Sequence, residues 1–242
     1  GYPTQKPVAL LQRFIEASSD AGDIVLDPFC GCGTTIDAAQ RLNRRWIGID
    51  ITHLAINLIR HRLRDTFGDA ILGSYDVIGE PASITDARVL AAQDPYQFQW
   101  WALGLVGARP AETKKGADKG IDGRLYFHDD PHSGKTKQVI FSVKAGKINV
   151  SHVRDLRGVL EREECEIGVL ISMLPTTKDM RTEAADAGHY KSPWGKHPRI
   201  QLFTIQELLN NKRIDMPAVT GANVTFKKAP KHKKKKDEQL DL

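Results

Sequence analysis

Two groups of residues in this chain have types and spacings that could do chemistry. The first is Asp27-Pro28-Phe29-Cys30-Gly31-Cys32-Gly33-Thr34-Thr35, set between the apolar run Ile24-Val25-Leu26 and an amphipathic stretch ending near Leu42; Asp50 closes the next apolar run, Trp46-Ile47-Gly48-Ile49. A glycine turn between a parallel strand and a helix lets a ligand approach the backbone, and a carboxylate about 20 residues further on is placed to bond ribose hydroxyls. Only Gly31 and Gly33 are present, without the third glycine of a pyrophosphate loop, so a nucleoside suits the turn better. A doubly wound sheet with a plain glycine turn would also produce such a loop. The second group is Asp122 and Lys144, at the start and end of an expected hairpin. An acid and an ammonium on one sheet edge suit phosphodiester hydrolysis, in which carboxylates hold Mg²⁺ and a lysine stabilises charge or positions water. A surface ion pair is the plain alternative.

The elements that must position these groups follow from periodicity. Lys6-Pro7 opens a helix with Val8, Leu10, Leu11, Phe14 and Ile15 on one side. Ile24–Leu26 has the continuous apolar character of a buried parallel strand. Thr34-Thr35 would cap the helix that follows. Residues 76–94 read as a linker with a short helix. Beyond it come a helix Pro95–Val106 with Phe98, Trp101, Ala102 and Leu105 inward, hairpin strands Arg124–Phe127 and Gln138–Val143, and a helix Val150–Glu163 with Val153, Leu156, Val159 and Leu160 inward. Strand Ile167–Ile171, helix Met180–Ala187, strand Ile200–Thr204 and helix Ile205–Asn211 complete the pattern. Asp94-Pro95-Tyr96 reads as a helix N-cap with proline at the first helical position.

Bulk properties narrow the class. The 242 residues are 40% hydrophobic and 27% charged, as in ordinary globular chains. No apolar run approaches the ~20 residues of a membrane span, so no membrane partner is expected. Three cysteines cannot form a disulfide framework, which points to a reducing cytoplasm. Cys30 and Cys32 lack the further ligands of a tetrahedral metal site. Seven lysines and three acids in Lys227–Leu242 carry four of the five net positive charges; that run reads as a disordered basic tail that attracts phosphate backbones or serves solubility. His128, His132 and His152 read as solvated, and Trp100 and Trp101 as base-stacking or core residues.

Pro3-Thr4-Gln5-Lys6-Pro7, the Asp27–Thr35 block and Gly48-Ile49-Asp50 together resemble the DNA N4-cytosine/N6-adenine methyltransferases. The resemblance implies S-adenosylmethionine as cofactor and DNA as partner, with Thr4, Lys6, Asp27, Pro28, Phe29, Gly31, Gly33 and Thr34 around the cofactor and Asp50 on its sugar. The family's catalytic Asp/Asn-Pro-Pro-aromatic tetrapeptide, which orients a flipped base, is absent. In the subgroup with these blocks near the C-terminal end the tetrapeptide comes earlier, so further methyltransferase residues are expected ahead of Gly1. Adenine N6 is the preferred target.

Gly120-Ile121-Asp122-Gly123, Phe141-Ser142-Val143-Lys144, Val153 to Gly158 and Gly168 to Ser172 resemble the Mrr-like branch of the PD-(D/E)XK nucleases. This implies Asp122, Ser142 and Lys144 as the nuclease-like site and Asp122 with Val143 as Mg²⁺ ligands. Ser142 stands where that pattern has Glu or Gln, and Gln97 and Gln99 stand where its first helix often has an acid, so an active nuclease and a DNA-binding module both remain open. The expected fold is α/β: a partial Rossmann-like methyltransferase sheet over residues 1–75, the linker, a smaller restriction-endonuclease-like α/β domain over 95–213, and the tail 214–242.

Overall fold

The computed structural model describes residues 5–111, 120–130 and 135–217, and it is mixed α/β. Helix α1 (Val8–Ser18) leads to strand β1 (Ile24–Asp27), helix α2 (Thr34–Arg41), strand β2 (Arg45–Gly48) and helix α3 (His53–Phe67). β1 and β2 pair in parallel, Ile24 opposite Arg45 and Asp27 opposite Gly48. Thr52 starts α3 by accepting from Ala55 N at 3.2 Å, satisfying one of the first-turn donors that have no helical partner. Two small cores hold this part: Ile15, Ala38 and Ala39 under α1, and Cys30, Ile36, Ile59, Leu63 and Ile71 under α3.

Three expectations fail here. Leu10 and Phe14 of α1 are exposed while Ile15 is buried, so the inward stripe is narrower than its apolar pattern. Ile24 and Leu26 are 53% and 58% exposed, because helices cover only one face of this two-stranded sheet among the described residues. Thr34 does not cap α2. That position belongs to Gly33, at φ 73°, with no side-chain cap bond.

After a 3₁₀ turn (Asp69–Gly73), residues 74–83 lead to helix α4 (Ile84–Gln93) and helix α5 (Pro95–Leu105). The expected linker is therefore half helix, capped reciprocally by Ser83 and Asp86, and Ala87 joins the core beyond it. Asp94 caps α5 through Tyr96 N and Gln97 N, as its Asp-Pro start predicts. Leu105 is exposed, and Leu103 is buried in its place.

A five-stranded sheet joins β3 (Arg109–Pro110), β4 (Gly123–Phe127), β5 (Lys137–Lys144), β6 (Ile167–Ser172) and β9 (Ile200–Thr204) in that order: the β3–β4 and β4–β5 pairs are antiparallel, the β5–β6 and β6–β9 pairs parallel. Helix α6 (Val150–Arg162) buries Val153, Leu156, Val159 and Leu160, the four positions its periodicity marks. Helix α7 (Lys178–Asp186) packs beside it, and α8 (Ile205–Leu209) follows β9 directly. A separate hairpin, β7 (His189–Ser192) with β8 (Gly195–Pro198), has no counterpart in the sequence reading. Residues 214–217 do not begin a loose tail: Ile214 and Met216 pack on the core, and Asp215 exchanges backbone bonds with the Gln201 amide at 2.9 and 2.6 Å. The lysine run lies outside the described residues.

On α3, His61 is 7% exposed and its Nδ1 accepts from Arg64 Nη2 at 3.1 Å. Burial, reinforced by the Arg64 charge, pushes its pKa down to about 3. The folded state therefore holds the neutral ring, while the unfolded chain takes up a proton below its ordinary pKa of 6.5. Stability is complete above that value and erodes as pH falls from 6.5 towards 3. Urea unfolding at pH 7 and pH 5 should show a loss of about 1–2 kcal/mol from this group. His61→Gln should flatten that part of the profile, and an unchanged slope would refute the assignment.

Candidate functional site

The glycine loop and the second acid form one unit. Cys30 N donates to Ile49 O at 3.0 Å, and Ile49 N to Asp27 O at 2.9 Å, so the loop after β1 is stitched to the end of β2. Asp50 completes it: Oδ2 accepts from Gly31 N at 3.0 Å, and Oδ1 from Thr52 N and Oγ1 at 2.9 and 2.8 Å. Asp27 Oδ1 accepts from Phe29 N at 3.1 Å, which fixes the first bend. At Gly33, a Cβ would stand 2.6 Å from Ile59 Cγ1, and the left-handed φ of 73° itself excludes most side chains. Arg62 of α3 reaches Cys32 Sγ at 3.5 Å, and its other nitrogen lies 3.7 Å from the buried Asp37 of α2.

The structure thus brings Asp27, Phe29, Gly31, Gly33, Thr34 and Asp50 together. Thr34 is buried with its hydroxyl 3.6 Å from Cys32 Sγ, so it faces the protein and not an open ligand surface. Pro28 is exposed beside Phe29, which is 89% exposed. Lys6 is exposed just ahead of α1, and Thr4 lies outside the described residues. Burial, with the nearby Asp50 and Asp27 charges, pushes the Cys30 thiol up to about 11. It stays protonated at neutral pH.

Beyond Asp50 a groove of about 1060 Å³ runs along β2, walled on its far side by residues 74–79. Ile51 and Ile78, 92% and 95% exposed, stand on its lining. Arg60 holds this far wall through Glu80, at 2.9 and 2.5 Å, and Trp46 meets Tyr75 with ring centroids 5.4 Å apart. His53 also lines the groove; its Nδ1 is buried without a hydrogen-bond partner among the described residues, and burial lowers its pKa. Asp50 is the point where loop and groove meet. Thr52, His53, Arg60 and Ile78 carry no motif, and only their place on the groove marks them.

The second group is arranged otherwise than a metal site. Asp122 Oδ2 accepts from Val143 N at 2.6 Å, Oδ1 accepts from Gln99 Nε2 at 3.1 Å, and Lys144 Nζ lies 3.8 Å from Oδ2. Gln99 thus presents an amide, not an acid, to this carboxylate. Ser142 is 6% exposed, and no group of three His, Cys, Asp or Glu is placed to hold a metal among the described residues. This donor set does not fit Mg²⁺, which takes carboxylate oxygens and retains several waters. Val143 meets Asp122 through its backbone N–H. His128 and His152 bond locally, to Lys135 O and around Asn149. His132 lies outside the described residues, while Trp101 is core at 2% exposure.

Comparison with known proteins follows the same division. Residues 1–61 match a family described as DNA methylase, and residues 96–210 match one described as NACHT-associated inactive Restriction Endonuclease 1. Among curated relatives, the chain is 53% identical over 113 residues to the Type II methyltransferase M.HpaI of Haemophilus parainfluenzae, covering 45% of this chain and 34% of that enzyme. It is 44% identical over 75 residues to M.EcaI of Enterobacter cloacae, covering 31% and 16% respectively. With M2.DpnII of Streptococcus pneumoniae it shares 53% over 62 residues, 26% and 23% of the two lengths. The chain thus spans at most about a third of the length of these relatives. No solved structure matches it.

If Asp122 serves the backbone and not a cation, its removal should act on stability. Asp122→Ala leaves the Val143 N–H without this acceptor and should lower the free energy of unfolding by about 1–3 kcal/mol. Mg²⁺ should give no heat on titration into the wild type, and supercoiled DNA should stay unnicked. A destabilisation lost within error, or Mg²⁺-dependent nicking, would overturn this account.

Proposed function

We propose that residues 1–75 are the S-adenosylmethionine-binding end of a DNA amino-methyltransferase of a restriction–modification system, acting in the cytoplasm, and that residues 95–213 form an attached restriction-endonuclease-like unit that does not cut. The observation that carries the reading is the Asp50 carboxylate, which anchors the glycine loop through Gly31 and stands at the head of the β2 groove. When bound, the cofactor would supply an electrophilic sulfonium methyl for an exocyclic amine of DNA, with adenine preferred to cytosine.

The chain's own residues then have distinct tasks. Asp50, with three donors already fixing its two oxygens, keeps accepting capacity on Oδ2 for a sugar hydroxyl. Ile51, held out beside it, offers an apolar wall to a purine base. The exposed Phe29 on the loop from Asp27 to Gly33 can shield the amino-acid end of the ligand from water. Nothing in these residues would orient a target base, since the catalytic tetrapeptide is absent from the 242 residues. That task falls to a methyltransferase segment outside this sequence. In the nuclease-like unit, the matched family's description as inactive and the tied-down Asp122 both favour a domain that does not cut DNA.

Calorimetry with S-adenosylhomocysteine should give saturable heat with this chain. Asp50→Ala should weaken binding about 10- to 100-fold, the loss of a hydrogen bond to a charged group. Labelled methyl transfer to DNA should require an added segment bearing the tetrapeptide. Wild-type protein that is folded and silent in the calorimeter would end this assignment.

A further inference from the structure

Gln97, on the first turn of α5, belongs by sequence to the second part of the chain, yet its side chain works in the first. Gln97 Oε1 accepts from His53 N at 2.9 Å, and Gln97 Nε2 points to Ile51 O at 3.4 Å. One carboxamide thus spans the two ends of the Ile51-Thr52-His53 turn, and the backbone donor and acceptor fix which way round it sits. That turn immediately follows Asp50, and Thr52 within it supplies two of the three bonds to the Asp50 carboxylate. His53 N is one of the first-turn donors of α3, which have no partner within the helix.

The surrounding contacts hold Gln97 in register. Asn57 of α3, 4% exposed, donates from Nδ2 to Trp100 O of α5 at 2.9 Å. Gly104 permits the two helices to approach there, since a Cβ on it would stand 2.2 Å from Asn57 Oδ1.

We propose that Gln97 is a positioning residue of the cofactor site. By clamping the Ile51–His53 turn, it sets the Asp50 carboxylate for the ribose and holds Ile51 out towards the base, so the nuclease-like unit completes the site of its neighbour. This rests on the cofactor reading given above. It gives the second unit a task that needs neither metal nor cleavage, and it makes cofactor affinity depend on how α5 is seated.

The test uses the whole chain and S-adenosylhomocysteine. Gln97→Met keeps the length and removes both polar contacts; Kd should rise about 5- to 30-fold, as expected for one to two lost hydrogen bonds. Gln97→Glu retains an acceptor for His53 N and should recover most of that affinity. Tyr96→Ala, on the same turn but 70% exposed, should bind as the wild type does. Melting temperatures report whether the variants fold, and amide exchange over residues 51–55 should quicken in Gln97→Met alone. A loss specific to Gln97→Met with rescue by Gln97→Glu supports the clamp; heat with equal affinity in wild type and both Gln97 variants overturns it. No heat with wild type overturns the cofactor reading and the clamp together.

Discussion

The hydrogen bond from Gly31 N–H to the Asp50 carboxylate governs the first part of this molecule. A loop that passes from a strand into a helix through two glycines exposes backbone donors with no ladder to join, and such donors are costly when left unpaired. Asp50 answers that need with a charge, which makes the bond stronger than a neutral one. Because the acid stands just past the end of β2, the same contact ties the two strands at their carboxyl ends. Thr52 then anchors the carboxylate to the first turn of α3, and Ile59 and Arg62 of that helix return to the loop at Gly33 and Cys32. Loop, acid and helix therefore hold one another in place.

How much of this could be read from sequence depended on whether the deciding partners were local. The four inward positions of α6 and the Asp94 cap of α5 follow from spacing alone, and both are present. The glycine loop with Asp50 was equally legible as a pair of motifs. β1 forms and pairs in parallel as its apolar run implies, while one face of the sheet is uncovered among the described residues. Thr34 looked like a cap because hydroxyls favour that position, but the left-handed Gly33 already occupies it. The β7–β8 hairpin was missed because His189–Ser192 and Gly195–Pro198 lack apolar alternation; it is built around the turn, and Tyr190 bonds to the buried Asp129 and to Lys137 across about 60 residues of chain. Gln97 and Gln99 registered only as missing acids, since nothing local shows which distant backbone a glutamine will meet.

The Asp129 contact also shows how the second part manages buried charge. Burial alone would raise the Asp129 pKa, but hydrogen bonds from Tyr190 and Lys137 outweigh it and pull the carboxyl below its ordinary value. Asp122 is treated alike, by donors instead of a cation. A partly buried carboxylate at a sheet edge is tolerated when amide or ammonium donors offset its charge. Val143 N, Gln99 and Lys144 do so. The acid can therefore persist in the sequence for reasons of folding, and a motif match at Asp122 and Lys144 says less about chemistry than about the scaffold.

The two glutamines of α5 serve both parts of the chain. Residues two apart on a helix point to opposite sides, so Gln97 meets the Ile51–His53 turn while Gln99 meets Asp122. The contacts across the α3–α5 seam described above are hydrogen bonds and a close glycine approach. Bonds of this kind define orientation more than they add affinity, because each replaces a bond to water. Orientation is what the seam must supply: the chain itself keeps the two helices at a high effective concentration, so little binding energy is needed to hold them together. A polar seam between covalently joined parts therefore fixes the register of α5 against α3 without demanding a large apolar interface, and register is the property on which the geometry around Asp50 depends.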